Sequence, residues 1–335
     1  MKRFLLTVIV LFVSVSVLFA GGGRDRTAND GKLKVVATIF PAYDFVRQIA
    51  GDRVNLTMLI SPGAESHSFE PSPRDIITIS NSDVFIYTGG EMDRWIDRIL
   101  RSVDTRNMRI LAMMNTVDLL TEEIVEGMHR DYDGDPDHHH FDPYADASHD
   151  CDDDCDHDYP HLDEHVWTSP RNAILIVRAI TDLLSEVDPA NAAFYRQNAA
   201  AYIEELRRLD AAFTQVVAGA RRHTVVFGDR FPFRYFAHDY GLTYHAAFSG
   251  CSTQTDLSPA TITFLINKIR EERIPVVFHI ELSSERIADV LVEATGTRKL
   301  LLHSAHNVTR QEFNSGLGYL DFMRRNVENL RIALN

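Results

Sequence analysis

Cysteine is scarce in this 335-residue chain, which has three, and no basic stripe or cluster is present. Three cysteines are too few for a disulfide framework, so a small domain held by disulfides is excluded. Because no basic stripe stands out, nothing in the sequence indicates a nucleic-acid partner, and we expect none. The chain also lacks an HExxH motif, a common signature of zinc hydrolases.

Long hydrophobic runs are absent except near the N-terminus, where sixteen uncharged residues from Phe4 to Phe19 follow Lys2 and Arg3. A membrane-spanning helix needs roughly 20 residues. A basic start, an apolar run and then small residues are typical of an export signal. We therefore predict that residues 1–30 are an export signal and short linker, and that the protein is periplasmic or lies on the outer face of the cytoplasmic membrane. Cleavage after Ala20 and retention as an anchor both stay open.

Acidic charge is concentrated in residues 129–165, which contain thirteen aspartates and eight of the fifteen histidines. This stretch carries a net charge of −13, so the rest of the chain is close to neutral. It has no helical or alternating periodicity and too few apolar residues to fold alone. We predict that 129–161 is a disordered auxiliary loop that binds metal ions weakly, through His129, His138, His139, His140, His149, His157, His161, Cys151 and Cys155. The alternative is a solvated acidic loop that aids solubility, and a disulfide between the two cysteines stays open.

Outside these two segments, short apolar runs alternate with amphipathic helical patterns, which implies βαβ units and mostly parallel sheets. An unbroken helical pattern of about thirty residues separates two such halves. We predict an α/β protein of two lobes, each with a mostly parallel four-stranded sheet and flanking helices, bridged by one long rigid helix. The predicted lobes are 31–187 and 222–335, and the linking helix is 188–221.

Two short motifs place histidines where a cleft between such lobes would lie. His67 opens "HSFEPSP", on a loop after a strand, and His165 lies in "DEHVWTSP", just before a helix. Ligands of α/β proteins bind at the carboxyl ends of the strands. Asp163 and Glu164 are suited to accept a hydrogen bond from the second ring nitrogen of a metal-bound His165. The alternative for a lone His67 is an ordinary exposed loop histidine.

Together with "VVATIFPAYDFVRQIAGD" and "DVFIYTGGEMDRWIDRIL", these motifs resemble the metal-binding lipoprotein family of ABC importers, the zinc- and manganese-specific substrate-binding proteins. The resemblance runs from about residue 33 to the C-terminus. It implies two lobes joined by a long helix with the metal between them, and it implies His67 and His165 as ligands. It also implies a membrane permease and an ATPase as partners of a monomer that is not an enzyme.

The C-terminal half departs from the pattern of that family. The family usually has a His or Glu after the strand that opens this lobe, where Gly228, Asp229 or Arg230 stands here, depending on the position of a gap. Asp229 is a candidate ligand, because a carboxylate can bind a metal ion directly. Arg230 is not a ligand, because a guanidinium has no lone pair to donate.

The fourth ligand of the family is an Asp at the end of a later strand, and His303 lies in or near that position, with His306 three residues on. Cys251, after a strand, is a further candidate ligand. Glu281 falls where the family commonly has a Glu near the site.

The predicted ligand set favours zinc. His67, His165 and His303, completed by Asp229 or Cys251, form a nitrogen-rich tetrahedral group, and imidazole favours Zn²⁺ over Mn²⁺. We predict a protein that captures Zn²⁺ between its lobes and delivers it to an ABC importer. The alternatives are a Mn²⁺ or Fe²⁺ binding protein of the same family, a zinc-dependent hydrolase, and an adhesin or metal-storage protein.

Overall fold

The computed structural model describes residues 31–65, 69–128, 161–250, 252 and 257–335. Its first half is a parallel sheet with the strand order β2-β1-β3-β4. The strands are β1 (Leu33–Ala37), β2 (Val54–Met58), β3 (Val84–Tyr87) and β4 (Arg109–Ala112). The helices that connect them are α1 (Phe40–Ala50), α2 (Pro73–Ser80) and α3 (Arg94–Ser102).

Local sequence signals set the limits of these helices. Pro41 stands in the first turn of α1, and Gly51 ends the helix with a φ of 54°, which favours glycine. Ser72 caps α2 by accepting a hydrogen bond from the backbone N–H of Asp75, whose side chain accepts one from Ser72 in return. The strands β1 and β3 form the middle of the sheet, and residues 35–37 and 84–86 within them are buried.

Two helices lie between the halves of the chain and pack against each other, α4 (Pro170–Val187) and α5 (Ala192–Ala218). Ser169 caps α4 by accepting hydrogen bonds from two backbone N–H groups of its first turn. The 27 residues of α5 span about 40 Å, at 1.5 Å per residue. This helix is therefore long enough to run beside both sheets.

The second half repeats the topology of the first, with a parallel sheet of order β6-β5-β7-β8. Its strands are β5 (Thr224–Phe231), β6 (Thr243–Ser249), β7 (Val276–His279) and β8 (Arg298–Leu301). Its helices are α6 (Arg234–Tyr240), α7 (Pro259–Glu271), α8 (Arg286–Thr295), α9 (Arg310–Asn314) and α10 (Tyr319–Leu334).

These elements confirm the predicted fold class of two parallel four-stranded sheets with flanking helices. A long helix, α5, lies within the predicted linking segment 188–221. The lobe boundaries at 187 and 222 stay predictions. The proposed export signal and all but the last residue of the predicted auxiliary loop lie outside the described residues.

One hydrophobic core runs through both halves, since a single cluster of buried side chains includes members of both sheets and of α4, α5 and α10. The helix α10 returns to the first half, where the backbone N–H of Tyr319 donates a 2.7 Å hydrogen bond to the buried carboxylate of Asp44 in α1. In the described part of the chain, no helix combines the length and hydrophobicity that crossing a bilayer requires.

Candidate metal centre

His165 lies in the loop that leads into α4 and is fully buried. One carboxylate fixes the orientation of its ring. The Oδ1 atom of Asp163 accepts a 2.8 Å hydrogen bond from the backbone N–H of His165 and lies 3.2 Å from its ring Nδ1. When Nδ1 carries the hydrogen for this bond, the lone pair of Nε2 is available to a metal. The predicted role of Asp163 as orienting partner therefore matches its position.

Glu164, the next carboxylate in the motif, is directed toward the loop after β3. Both of its oxygens accept hydrogen bonds from the backbone N–H of Met92, at 3.0 and 3.1 Å. Burial raises the pKa of Glu164 to about 7, although this hydrogen bond and the proximity of His165 oppose the rise. The side chain fills the space beside Gly90, where a Cβ would lie 2.4 Å from Oε1. Glu164 thus holds the loop after β3 against the His165 motif.

His306, from the turn after β8, faces His165. The two ring centroids are 5.5 Å apart and the planes meet at 82°. Trp167 packs against the ring of His306 at 5.0 Å, and its Nε1–H donates a 2.9 Å hydrogen bond to the carbonyl of Ser304. The imidazoles come from opposite halves of the chain, and a bound ion would therefore join the two halves.

Glu281, just after β7, holds the backbone of the turn that carries His306. One carboxylate oxygen accepts hydrogen bonds from the Ser304 hydroxyl at 2.5 Å and from the His306 N–H at 3.0 Å. The other accepts the Ser304 N–H at 2.7 Å. With both oxygens engaged, Glu281 acts on the position of His306 from beside the site.

His303 lies on the far side of this turn, and the described residues lining the cavity do not include it. Its Nδ1 accepts a 2.9 Å hydrogen bond from the backbone N–H of Ala305, and its ring stacks on Phe322 at 4.1 Å. An imidazole that accepts at Nδ1 carries its hydrogen on Nε2 in the neutral form, so it has no lone pair left for a metal. The structure thus brings His306, and not His303, to the cavity wall.

A register shift between Phe227 and Arg230 in β5 places Asp229 and Arg230 at the cavity. The Asp229 carboxylate accepts hydrogen bonds from the backbone N–H groups of Arg230 at 2.8 Å and Ile280 at 3.1 Å. Burial raises the pKa of Asp229, although hydrogen bonds from Ser283 and from these two N–H groups oppose the rise. Both oxygens are therefore occupied within the protein.

The loop after β2 leads to His67 and is attached to the turn from the other half. The side-chain amide of Asn307 donates hydrogen bonds to the carbonyls of Ser61 at 3.0 Å and Ala64 at 2.8 Å. The backbone N–H of Gly63 donates another, of 2.8 Å, to the carbonyl of Val308. These bonds direct the chain toward the cavity just before His67, which lies outside the described residues.

The cavity between the two halves has a volume of about 290 Å³. Its described lining includes Glu65, His165, Asp229, Arg230, Glu281 and His306. Among the described residues, no three His, Cys, Asp or Glu side chains are grouped closely enough to hold a metal ion. Two imidazoles alone do not fill a tetrahedral site, which takes four ligands.

The remaining predicted site residues are mostly outside the described part of the chain. They are Cys251 and the loop residues His129, His138, His139, His140, His149, His157, Cys151 and Cys155. Gly250 directly precedes Cys251, and a Cβ at Gly250 would lie 3.2 Å from the ring of His165. His161 is described, and it is exposed, with its Nδ1 3.7 Å from a carboxylate oxygen of Glu91.

The comparisons with known proteins place this architecture in a family. Residues 35–333 match the profile of the family described as zinc-uptake complex component A, periplasmic. The chain belongs to this family. Zinc-binding lipoprotein AdcA of Streptococcus pneumoniae serotype 4 is 31% identical over 323 residues, which are 96% of this chain and 60% of AdcA. The chain thus spans about 60% of the length of the AdcA proteins that it matches.

Another relative has nearly the same extent. The high-affinity zinc uptake system protein ZnuA of Bacillus subtilis is 30% identical over 324 residues, 95% of this chain and 94% of the relative. Among solved structures, the Zn(II)-bound ZnuA-like domain of S. pneumoniae AdcA is 28% identical with a TM-score of 0.71, covering 91% of this chain and 99% of that one. The metal-dependent lipoprotein YcdH of B. subtilis is 27% identical with the same TM-score, covering 90% and 99%.

The site residues of the C-terminal half are the ones that the sequence of this member of the zinc-uptake component A family predicts least well. The segment "HSAHN" contains His303 and His306, and the sequence alone does not predict which of them faces the cavity. The end of β8 at Leu301 and the grip of Glu281 on the backbone of the turn decide it. Part of this choice could be predicted, because a side chain reaches the cleft from the turn that follows the strand and not from the strand itself.

Proposed function

We propose that the protein captures Zn²⁺ in the cavity between its two halves and delivers it to the membrane permease and ATPase of an ABC importer. The observation that carries this proposal is the pair of buried imidazoles, His165 and His306, which face each other from opposite halves of the chain. Family membership and the zinc-binding names of the relatives support the same cargo.

The proposed ligands are His67, His165 and His306. Imidazole nitrogen suits zinc better than manganese, which prefers carboxylate oxygen. Two of the carboxylates that line the cavity, Asp229 and Glu281, are engaged by donors of the protein. We place His306 in the role that the sequence suggested for His303, since the ring of His303 is turned away into the core.

The protein acts in this proposal as a monomeric carrier outside the cytoplasm, and not as an enzyme. Capture needs donor groups that close around an ion, whereas hydrolysis needs an open coordination position with a general base beside it. The predicted auxiliary loop at 129–161 keeps its proposed role as a weak collector of zinc.

Substitution of the two histidines of the turn tests this assignment. His306→Ala is expected to weaken zinc binding by about 100-fold or more, equivalent to about 2.7 kcal/mol, because a direct ligand is lost. His303→Ala is expected to lower stability through the lost packing on Phe322 while leaving zinc affinity within about threefold. Competition titration against a chromophoric chelator, with zinc and manganese in parallel, measures both affinities.

His238→Ala is the matched control, since this side chain is exposed and lies away from the cavity. Zinc binding that survives His306→Ala and is lost in a folded His303→Ala variant would overturn the assignment. Tighter binding of manganese than of zinc by the unaltered protein would overturn the choice of cargo.

A further inference from the structure

Trp167 is a fully buried side chain that packs against both proposed imidazole ligands. Its ring centroid lies 5.5 Å from that of His165 and 5.0 Å from that of His306, and the two imidazole centroids are themselves 5.5 Å apart. The three rings therefore form a nearly equilateral triangle. Because protein interiors are close-packed, an indole in this place limits how far either imidazole can shift or tilt.

The indole also holds the turn that carries His306. Its Nε1–H donates a 2.9 Å hydrogen bond to the backbone carbonyl of Ser304, which is 137 positions away in the chain. Glu281 accepts hydrogen bonds from the backbone N–H and the hydroxyl of the same serine. Glu281 thus fixes the turn to its own half of the chain, and Trp167 fixes it to the half that carries His165.

The backbone of the turn is strained, so its shape depends on these contacts. Ala305, between Ser304 and His306, has a φ of 59°, in the left-handed region that a residue with a Cβ atom adopts only at a cost. A residue of this kind keeps its conformation where the surrounding structure imposes it. Hydrogen bonds to Ser304 and His306 do so on either side of Ala305, and the bond from Trp167 is one of them.

Trp167 is itself held in place by the C-terminal helix. Its backbone carbonyl accepts a 2.7 Å hydrogen bond from the hydroxyl of Tyr319, a fully buried residue at the start of α10. Trp167 also lies only two positions after His165, in the short helical turn before α4. The indole therefore has a fixed base from which it holds the turn of the other half.

We infer that Trp167 is a positioning residue for zinc binding, whose indole sets the separation and angle between the imidazoles of His165 and His306 while its N–H holds the turn from the opposite half. An indole nitrogen is a hydrogen-bond donor only, so Trp167 acts on the ion through the two ligands. This inference rests on the proposed zinc binding by His165 and His306.

Trp167→Phe tests this role, because phenylalanine keeps an aromatic ring and removes the N–H donor. Zinc affinity, measured by chelator competition, is expected to fall about tenfold, equivalent to about 1.4 kcal/mol, since the two imidazoles lose their fixed arrangement. The visible absorption of the Co²⁺-loaded protein, which depends on the angles between the ligands, is expected to change. A loss of stability alone would leave that spectrum as it is in the unaltered protein.

Trp95→Phe is the matched control, because Trp95 is the other tryptophan of the chain and packs on Phe69, and both lie outside the described cavity lining. This variant is expected to keep the zinc affinity and the Co²⁺ spectrum of the unaltered protein. It also leaves Trp167 as the sole tryptophan, so its fluorescence emission is expected to change when zinc binds to the neighbouring imidazoles.

A folded Trp167→Phe protein with unaltered zinc affinity and an unaltered Co²⁺ spectrum would contradict the positioning role. The fluorescence of Trp95→Phe decides the matter separately if Trp167→Phe does not fold, since zinc binding without any change in the emission of Trp167 would also contradict this role. Failure of the unaltered protein to bind zinc would instead overturn the proposed function.

Discussion

At the scale of single residues, buried carboxylates organise the surroundings of the cavity by accepting backbone hydrogen bonds. Glu281 holds the turn of His306, Asp163 holds His165, and Asp93 holds the loop after β3. A carboxylate in such a place replaces its lost hydration with fixed N–H donors. These groups therefore hold the backbone segments that surround the cavity.

Asp93 gives a prediction for the pH dependence of stability. Burial raises its pKa to about 6, although the N–H groups of Thr88 and Gly89 oppose the rise. Because the folded state keeps the proton longer than the unfolded state does, this group lowers the free energy of unfolding as pH rises from about 4 to about 6. The expected loss is about 3 kcal/mol, from a shift of roughly two pKa units.

Urea unfolding of the unaltered protein and of Asp93→Asn between pH 4 and pH 7 measures this contribution. The amide oxygen of asparagine accepts the same two hydrogen bonds and does not titrate, so the variant is expected to become relatively more stable as pH rises. Parallel stability curves for the two proteins across this range would contradict the raised pKa.

Whether a site residue could be predicted from the sequence depends on how close in the sequence its positioning contacts lie. His165 could be predicted because its partner Asp163 is two positions away and α4 begins five residues later. His306 could not be separated from His303, since the choice depends on contacts with Glu281 and Phe322, which are distant in sequence. The engagement of Asp229 by Ile280, 51 positions away, is equally invisible in the sequence.

At the scale of elements, the parallel strands follow directly from buried apolar runs bounded by turns. The run "LKVVATIF" contains β1, and "PVVFHIEL" contains β7, with the observed ends within a few residues of those runs. The register shift in β5 was not predictable, because it arises from pairing with β6 and leaves no mark on hydrophobic periodicity. That shift is what turns Asp229 and Arg230 toward the cavity.

Gly228 lies within this shift and is predicted to be required there for packing. A Cβ at this position would lie 2.5 Å from the Cα atom of Ala288 in α8, so Gly228→Ala must displace the helix or the strand. We expect a loss of about 1–3 kcal/mol in the free energy of unfolding, which chemical denaturation measures.

Gly219→Ala is the control for that substitution. Its Cβ would meet an ordinary contact, 3.5 Å from a carbonyl oxygen, and we expect a change within about 0.5 kcal/mol. Equal effects of the two substitutions would show that β5 and α8 do not pack as closely as described.

At the scale of the whole molecule, the two halves are joined by a shared core and by hydrogen bonds that cross the cleft. The α5 helix packs on α1 of the first half and on α6 and α10 of the second, α10 returns to α1 through Asp44, and Asn307 binds the loop that precedes His67. A wide separation of the halves would break all three connections. We therefore expect zinc release to involve local movement of the loops at the cavity.

Asn307→Ala tests this expectation at the crossing between the halves. Loss of two hydrogen bonds, each of about 1 kcal/mol, is expected to free the loop at 61–65 and to speed zinc dissociation about tenfold. Stopped-flow transfer of zinc to a chelator measures the rate.

Asn329→Ala is the matched control, because the Asn329 amide donates a similar bond to Leu301 within one half of the chain. It is expected to release zinc at the rate of the unaltered protein. Equal acceleration by both variants would point to a general loss of stability and against a specific role for the crossing.

In the turn held by Glu281, the hydrogen bonds that fix the backbone are separate from the imidazole of His306 that faces the cavity. Glu281 accepts hydrogen bonds from the backbone N–H groups of Ser304 and His306 and from the Ser304 hydroxyl, and these bonds do not depend on which side chain stands at position 306. Under the proposed function, exchange of His306 for another donor is therefore expected to leave this wall in place while changing the metal that the cavity prefers. One substitution would then change the cargo without rebuilding the fold.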